Sequence, residues 1–372
     1  MKKYKHYYLT SESVTEGHPD KVADLISDTI LDECLKQDRN SRVAIETMLT
    51  GNTVIVAGEL TTNAQINIEN IIRATLKTVG YDDEKNTMDY RTCKINQYIK
   101  KQSGDIAMGV DKGGAGDQGI MFGFACDETP EYMPYPIIIT HKLSQRLAEV
   151  RKNKEIEYLK SDGKVQVTVE YVNDCPIRVD TVLISTQHEE NIDISQMQKD
   201  LINKVILKVI EPDMLDVETK FYINPTGRFV IGGAIGDTGV TGRKIICDTY
   251  GGLAHHGGGA FSGKDPSKVD RSASYMARHI AKNVIANGMA RKCEIQLSYG
   301  IGMKQPISLF IECFNTNRIP ENIIIKVIKE RFDLTPNGII EYLDLKRPIY
   351  AKTTNYGHFG REGFTWEEIV QI

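Results

Sequence analysis

The sequence predicts an α/β protein of the α+β type, built from three similar α/β domains in which a small mixed sheet is backed by helices. Three observations predict it. A helix, two β-rich runs and a second helix follow one another three times along the 372 residues. Equivalent elements recur at near-constant steps: the first β runs begin at positions 42, 165 and 293, and the second helices at 66, 195 and 321. The chain is also longer than one hydrophobic core usually organises, so it should divide into two or three domains. Repeated steps of roughly 120 residues make each repeat a complete α/β unit.

The first unit opens with an amphipathic helix from about Pro19 to Leu35. Val22, Ile26, Ile30 and Cys34 mark its apolar stripe, and Pro19 suits a first turn. Two β-rich runs, Arg42–Leu49 and Thr53–Leu60, are joined by a Gly51-Asn52 turn, and a second helix spans Ile66–Val79. In the second unit the order is helix Ile137–Val150, runs Val165–Tyr171 and Ile177–Ser185, and helix Ser195–Ile210. In the third it is helix Val269–Ala286, runs Cys293–Tyr299 and Ile307–Phe314, and helix Glu321–Phe332. The domains so drawn are 1–104, 117–231 and 232–372. Residues 105–116 between the first two are glycine-rich with few apolar anchors, which predicts a mobile loop.

Composition narrows the function. Hydrophobic residues at 41% and charged residues at 26% describe an ordinary globular chain, and a net charge of −4 argues against a general nucleic-acid binder. The seven cysteines form no C-x-x-C, as expected of reduced thiols in a cytosol. The basic start, Met1 to His6, meets polar Thr10-Ser11-Glu12 before any signal core can form, and no run approaches the roughly 18 apolar residues of a membrane span. The expectation is a cytoplasmic protein without membrane contact.

The most informative stretch is Gly257–Arg271. Glycines let the backbone approach a ligand, Lys264, Lys268 and Arg271 suit a polyphosphate, and two aspartates in the run, Asp265 and Asp270, could hold its divalent ions. The letters Gly258-x-x-x-x-Gly263-Lys264 imitate a P-loop, but Asp265 stands where the metal-binding hydroxyl belongs and no apolar strand leads in. A glycine-rich surface loop with solvated charges is the competing reading. At Gly17-His18-Pro19-Asp20-Lys21 a helix start offers an anion site, with His18 and Lys21 toward phosphate oxygens and Asp20 toward a metal; simple capping by Thr15 and Pro19 competes. Asp237-Thr238-Gly239-Val240-Thr241-Gly242-Arg243-Lys244 adds adjacent cations after glycines, and Lys164 follows a Ser161-Asp162-Gly163 turn. Phe229, beside Arg228, offers a stacking face or an ordinary core ring. His255-His256 lacks the spacing of a zinc helix, and no Ser-His-Asp or Cys-His arrangement emerges.

Taken together, Gly17–Lys21, Gly114-Ala115-Gly116-Asp117-Gln118-Gly119 and Gly257–Arg271 resemble the signature segments of the S-adenosylmethionine synthetase family. The resemblance extends through Ser11–Asp32, Lys101–Asp105, Thr219–Gly233, Thr241–Gly252 and Tyr356–Glu362, nearly the whole chain. It implies three similar domains about a pseudo-threefold axis, and a reaction in which ATP, L-methionine and water give S-adenosylmethionine, phosphate and diphosphate. Methionine's thioether carries no proton, so attack on ribose C5′ needs no general base. What must be stabilised is the departing triphosphate, by cations and metal ions in a closed site. A phosphotransferase would need an acceptor hydroxyl and a base, and a silent subunit would lose the charged residues that are all present here.

Carried over by position, the resemblance makes His18, Lys164, Arg243, Lys264 and Lys268 the catalytic groups. His18, Asp162, Gly163, Lys164, Arg228, Phe229, Asp237, Arg243, Lys244, Ala260 and Lys264 would bind ATP; Glu59, Gln102, Asp237 and Lys268 would bind methionine, with Asp117 where the two substrates meet. Asp20 and Asp270 would serve Mg2+, two ions per site, and Glu46 one K+. The family's sites form between two subunits of a dimer, usually paired into a tetramer. Two departures from the family pattern stand out: the segment between Gln102 and Gly114 is shorter by about five residues in the loop that gates the site, and Gly232-Gly233-Ala234-Ile235 replaces a more usual Gly-Gly-Pro-x.

Overall fold

A computed structural model describes residues 5–101 and 113–372. Gln102 and the loop segment 105–112 lie outside the described residues.

The helices form where the apolar stripes place them. Helix α1 (Pro19–Gln37) has proline at its start, and Val22, Ile26, Ile30 and Cys34 are buried. Helix α2 (Ile68–Val79) is capped by the Asn67 side chain and ends at Gly80 in the left-handed conformation, φ 89°. Helices α3 (Tyr135–Lys152) and α4 (Ile194–Leu201) belong to the second repeat, α4 passing through a π-helical turn (Ile202–Ile206) into Leu207–Val209. The third repeat holds α5 (Val269–Ala286), α6 (Glu321–Arg331) and α7 (Pro336–Tyr342).

The paired runs become three antiparallel hairpins: β2 (Arg42–Thr50) with β3 (Thr53–Thr61), β8 (Leu159–Val172) with β9 (Cys175–His188), and β12 (Lys292–Tyr299) with β13 (Ser308–Glu312). The last strand stops short of the expected Phe314 because Phe314 and Asn315 both take positive φ, 53° and 58°. A parallel strand lies beside each of the first two hairpins, β6 (Lys94–Lys100) on β3 and β10 (Lys220–Ile223) on β9. The two-residue strands β4 (Asp82–Asp83) and β5 (Met88–Asp89) form a small hairpin of their own.

Each of the three larger sheets is closed on one edge by a strand from another third of the chain. β1 (His6–Val14) pairs antiparallel with β8, β7 (Gly119–Cys126) with β12, and β11 (Gly239–Val240) with β2. The exchange is cyclic: first third to second sheet, second to third, third to first. It ties three similar units into one body about a pseudo-threefold axis. Two apolar clusters result, one spanning the helices and sheets of the first and third thirds, the other filling the space between α3, α4 and the β8–β9 hairpin.

Helix α5 is buried almost all round, and Gly123 of β7 lets the strand press on it: a Cβ there would lie 2.0 Å from the Ala277 carbonyl carbon. Within this helix Arg278 is fully buried, held by both Glu367 oxygens at 2.9 and 2.8 Å and donating to the carbonyls of Phe124, Tyr132 and Glu131.

Candidate active site

The start of α1 is capped by His18, not by Thr15. The His18 ring nitrogen Nδ1 accepts from Asp20 N at 3.2 Å, while the Thr15 hydroxyl donates to the Ser161 carbonyl at 2.6 Å. The reason is placement: Thr15 is drawn into the neighbouring sheet, its N–H meeting the Gly163 carbonyl at 2.9 Å. His18 is 1% exposed. Burial, then the nearby Lys244 ammonium, lowers its pKa to about 3, so the imidazole is neutral. With Nδ1 accepting, its proton sits on Nε2, free to donate.

Asp20 Oδ2 accepts from Lys244 Nζ at 2.6 Å and Oδ1 from Val240 N at 3.0 Å, with Arg243 Nη1 at 3.6 Å. Burial would raise this carboxyl, but the Lys244 ammonium and the Val240 amide hold it below the usual range. Arg243 also donates to the Thr238 carbonyl at 2.9 Å. Lys164 lies close enough to add to the field that keeps His18 neutral. Asp162 accepts from Gly233 N at 2.8 Å, and burial lifts its pKa to about 6, with Asp237 adding to the rise. His18, Asp20, Asp162, Gly163, Lys164, Asp237, Arg243 and Lys244 therefore form one group. Arg228 and Phe229 lie beyond it: Phe229 N donates to His188 Nε2 at 3.0 Å, and exposed Arg228 pairs with Glu190 at 2.7 Å.

A second group gathers at the start of α5. Lys264 Nζ lies 2.7 Å from Asp270 Oδ2. Gly259 abuts this carboxylate so closely that a Cβ would come 2.4 Å from Asp270 Cγ, and a Cβ on Gly119, two residues after Asp117, would come 3.4 Å from Asp270 Oδ1. Lys268 bonds to Asp265, whose oxygens also accept from Val43 N at 2.7 Å and Ser267 N at 2.9 Å. Asp265 is thus committed to protein donors. Of the two aspartates in the glycine-rich run, Asp270 is the one that could hold a metal ion. Ala260 faces the first group instead, against Gly242.

Glu46 and Glu59 stand on the open face of the first sheet. Glu46 is opposite Ala57, and Glu59 is opposite Ala44 with Lys100 Nζ 3.4 Å away. Exposed Met48 and Tyr98 share this face. Among the described residues no hydrogen bond or ion pair joins the first group to the second. Strand β2 carries them at separate points, Gly239 opposite Leu49 and Lys264 bridged to Ala44. Five residues of strand put these points about 16 Å apart.

Sequence reasoning missed the supports of both groups. Asp24 accepts from Gly242 N at 2.8 Å and from Lys21 Nζ at 2.9 Å; Asp28 accepts from Gly263 N at 2.8 Å and takes both ends of the Arg271 guanidinium at 2.7 Å. Lys21 was expected to face phosphate. It is instead 1% exposed and enclosed by Asp24 and Asp248; burial lowers its pKa, but the two carboxylates outweigh that and hold it charged. The signal was present in the four-residue spacing of Asp20, Asp24, Asp28 and Asp32, which places all of them on one helix face.

Comparison with known proteins places the whole chain in one family. Models of the N-terminal, central and C-terminal domains of S-adenosylmethionine synthetase match residues 6–104, 112–229 and 231–368. The S-adenosylmethionine synthase of Desulfosudis oleivorans is 55% identical over 370 residues, covering 97% of this chain and 95% of the relative. That of Finegoldia magna is 53% identical over 380 residues, covering 98% and 97%.

Proposed function

The chain belongs to the S-adenosylmethionine synthetase family, and we propose that its two charged groups are the halves of one active site completed by a second copy of the chain. The enzyme is a methionine adenosyltransferase: ATP, L-methionine and water become S-adenosylmethionine, phosphate and diphosphate. The observation that carries our reading is the pairing of each candidate metal carboxylate with a lysine, Asp20 with Lys244 and Asp270 with Lys264, at separate points of one strand.

In this reading the methionine sulfur attacks C5′ of ATP and the C5′–O bond breaks toward the triphosphate. Neutral His18 donates from Nε2 to the leaving oxygens near the ribose; it does not act as an acid that must first be charged. Lys164, Arg243 and Lys244 from one chain, with Lys264 and Lys268 from the other, take up the developing charge and hold the triphosphate for its hydrolysis. Asp162, Gly163, Arg228, Phe229 and Ala260 line the nucleotide. Asp237, Glu59 and Gln102 hold methionine, and Asp117 lies where the substrates meet.

The donor set fits magnesium. Asp20 and Asp270 offer hard carboxylate oxygens, and no group of three or more His, Cys, Asp or Glu side chains is gathered for a metal among the described residues. One or two carboxylates completed by substrate phosphates is the usual arrangement for this ion. Mg2+, two ions per site, would neutralise triphosphate charge there, and Glu46 would add a carboxylate oxygen for one K+.

Docking of a second copy is favoured by the open sheet faces, which expose Tyr8, Met48, Tyr98, Ile120 and Phe310. Glu46 and Glu59 lie on such a face, where a partner's first group would meet them. We infer a dimer, paired further into a tetramer. We also place the protein in the cytoplasm, where its seven free cysteines would stay reduced; among the described residues no helix is long and apolar enough to cross a membrane. Incubation with ATP, methionine, Mg2+ and K+, read by mass spectrometry, tests the reaction: equal amounts of S-adenosylmethionine, phosphate and diphosphate are expected, whereas ADP or a phosphorylated product would contradict it.

A further inference from the structure

Four aspartates descend one face of α1 at four-residue intervals, and each accepts a backbone N–H from the last third of the chain. Asp20 receives Val240, Asp24 receives Gly242, Asp28 receives Gly263, and Asp32 receives Tyr350 and Ala351. The two middle contacts share a further feature. Gly242 and Gly263 both have φ 79°, a left-handed conformation open to glycine. Each glycine directly precedes candidate phosphate-gripping cations: Arg243 and Lys244 after the first, Lys264 after the second. Each is also closely confined. A Cβ on Gly242 would lie 2.5 Å from Ala260 Cβ, and one on Gly263 1.9 Å from the Ile45 carbonyl oxygen.

We propose that Asp24 and Asp28 are positioning residues of the active site, pinning the amides of Gly242 and Gly263 so that the cations following them are set on the triphosphate. The inference rests on the phosphate reading of Arg243, Lys244 and Lys264 given above. The geometry supplies the cause: with its amide fixed and its φ set, the glycine leaves the next residue little freedom in where its side chain departs. Both pins are rigid. Asp24 is fully buried and its other oxygen holds buried Lys21; Asp28 is fully buried and doubly bonded to Arg271. Among the described residues neither aspartate bonds directly to Arg243, Lys244 or Lys264; the cations they do hold, Lys21 and Arg271, are buried away from the phosphate role the sequence suggested for them. Their influence runs through the backbone.

Asp24 gives the cleaner test, because its loss leaves the buried Lys21 ammonium paired with Asp248, whereas removing Asp28 would strand the buried Arg271 charge. The probe is inorganic triphosphate with Mg2+, its affinity for the full-length protein measured by calorimetry, with the KM for methionine as control. Asp24→Ala should weaken triphosphate binding by about tenfold, the scale of one lost buried hydrogen bond, and leave the methionine KM within about twofold. In a background of Arg243→Ala with Lys244→Ala, the same change should add less than about twofold, since the cations it positions are gone. Asp24→Asn covers the case in which alanine prevents folding: its single oxygen is drawn to the Lys21 ammonium, so Gly242 still loses its acceptor and the loss should run the same way. Equal losses in both backgrounds, or a methionine KM that rises in step, would reduce Asp24 to a general stabiliser and overturn the inference. If the Arg243 and Lys244 replacements alone leave triphosphate binding unchanged, the phosphate reading itself fails and the inference falls with it.

Discussion

Lys244 Nζ stands 2.6 Å from Asp20 Oδ2 while both side chains are largely shielded from solvent, so the site holds these charges as a pair. The Lys264–Asp270 pair repeats the arrangement at 2.7 Å. In the proposed reading, triphosphate and metal would turn each lysine to phosphate and each carboxylate to the metal, with no net charge left bare. Asp20→Asn and Asp270→Asn should therefore each lower kcat by about a hundredfold or more, the scale of losing one electrostatic contact to the transition state. Steady-state assays at ordinary Mg2+, with circular dichroism to check the fold, measure this. Turnover like that of the unaltered enzyme would remove that residue from the metal site.

His18 should matter mainly for the first chemical step. Its neutral ring, capping α1 through Nδ1, has one proton to offer, on Nε2. His18→Asn should slow S-adenosylmethionine formation far more than hydrolysis of added triphosphate, which single-turnover kinetics of each step can resolve. Equal slowing of both would assign His18 a shared positioning role instead.

The same burial makes His18 a liability in acid. Its folded pKa of about 3 lies below the ordinary 6.5, so between these values the unfolded chain binds a proton that the folded chain does not. Stability is intact above pH 6.5 and falls as pH drops toward 3, with a slope for this residue of about 1.4 kcal/mol per pH unit. Urea unfolding of the parent protein and of His18→Asn at pH 7.5, 6 and 5 isolates it: the parent's stability relative to the variant should decline across the acid points. A constant difference would mean that the folded site accepts the proton.

Much of the fold was legible because the apolar spacing of α1, α2, α3 and α5, and the paired runs Arg42–Thr61, Leu159–His188 and Lys292–Glu312, are local signals. The edge strands were not. β1 and β11 are polar or only two residues long, and they are strands because a distant hairpin offers them a free edge. The site was legible as a list of residues, from glycine–cation runs and family resemblance, but its division into two groups depends on where β2 receives Gly239 and Lys264. Nor could the Gly257–Arg271 run by itself reveal that Asp265 is spent on Val43, Ser267 and Lys268. Burial and long-range pairing decide such matters, and neither is written in local spacing.

Mixing two inactive variants separates a site shared between subunits from one built within a single chain. If Asp20 of one subunit works with Asp270 of another, a dimer of Asp20→Asn with Asp270→Asn contains one site in which both carboxylates are lost and one in which both are intact. Each variant alone should be nearly inactive. After unfolding, mixing in equal amounts and refolding together, activity should return to about a quarter of the parent value, since half the dimers are mixed and each has one sound site. No recovery, with mixed dimers verified by mass spectrometry, would mean that Asp20 and Asp270 serve a site within a single chain, and would contradict the account.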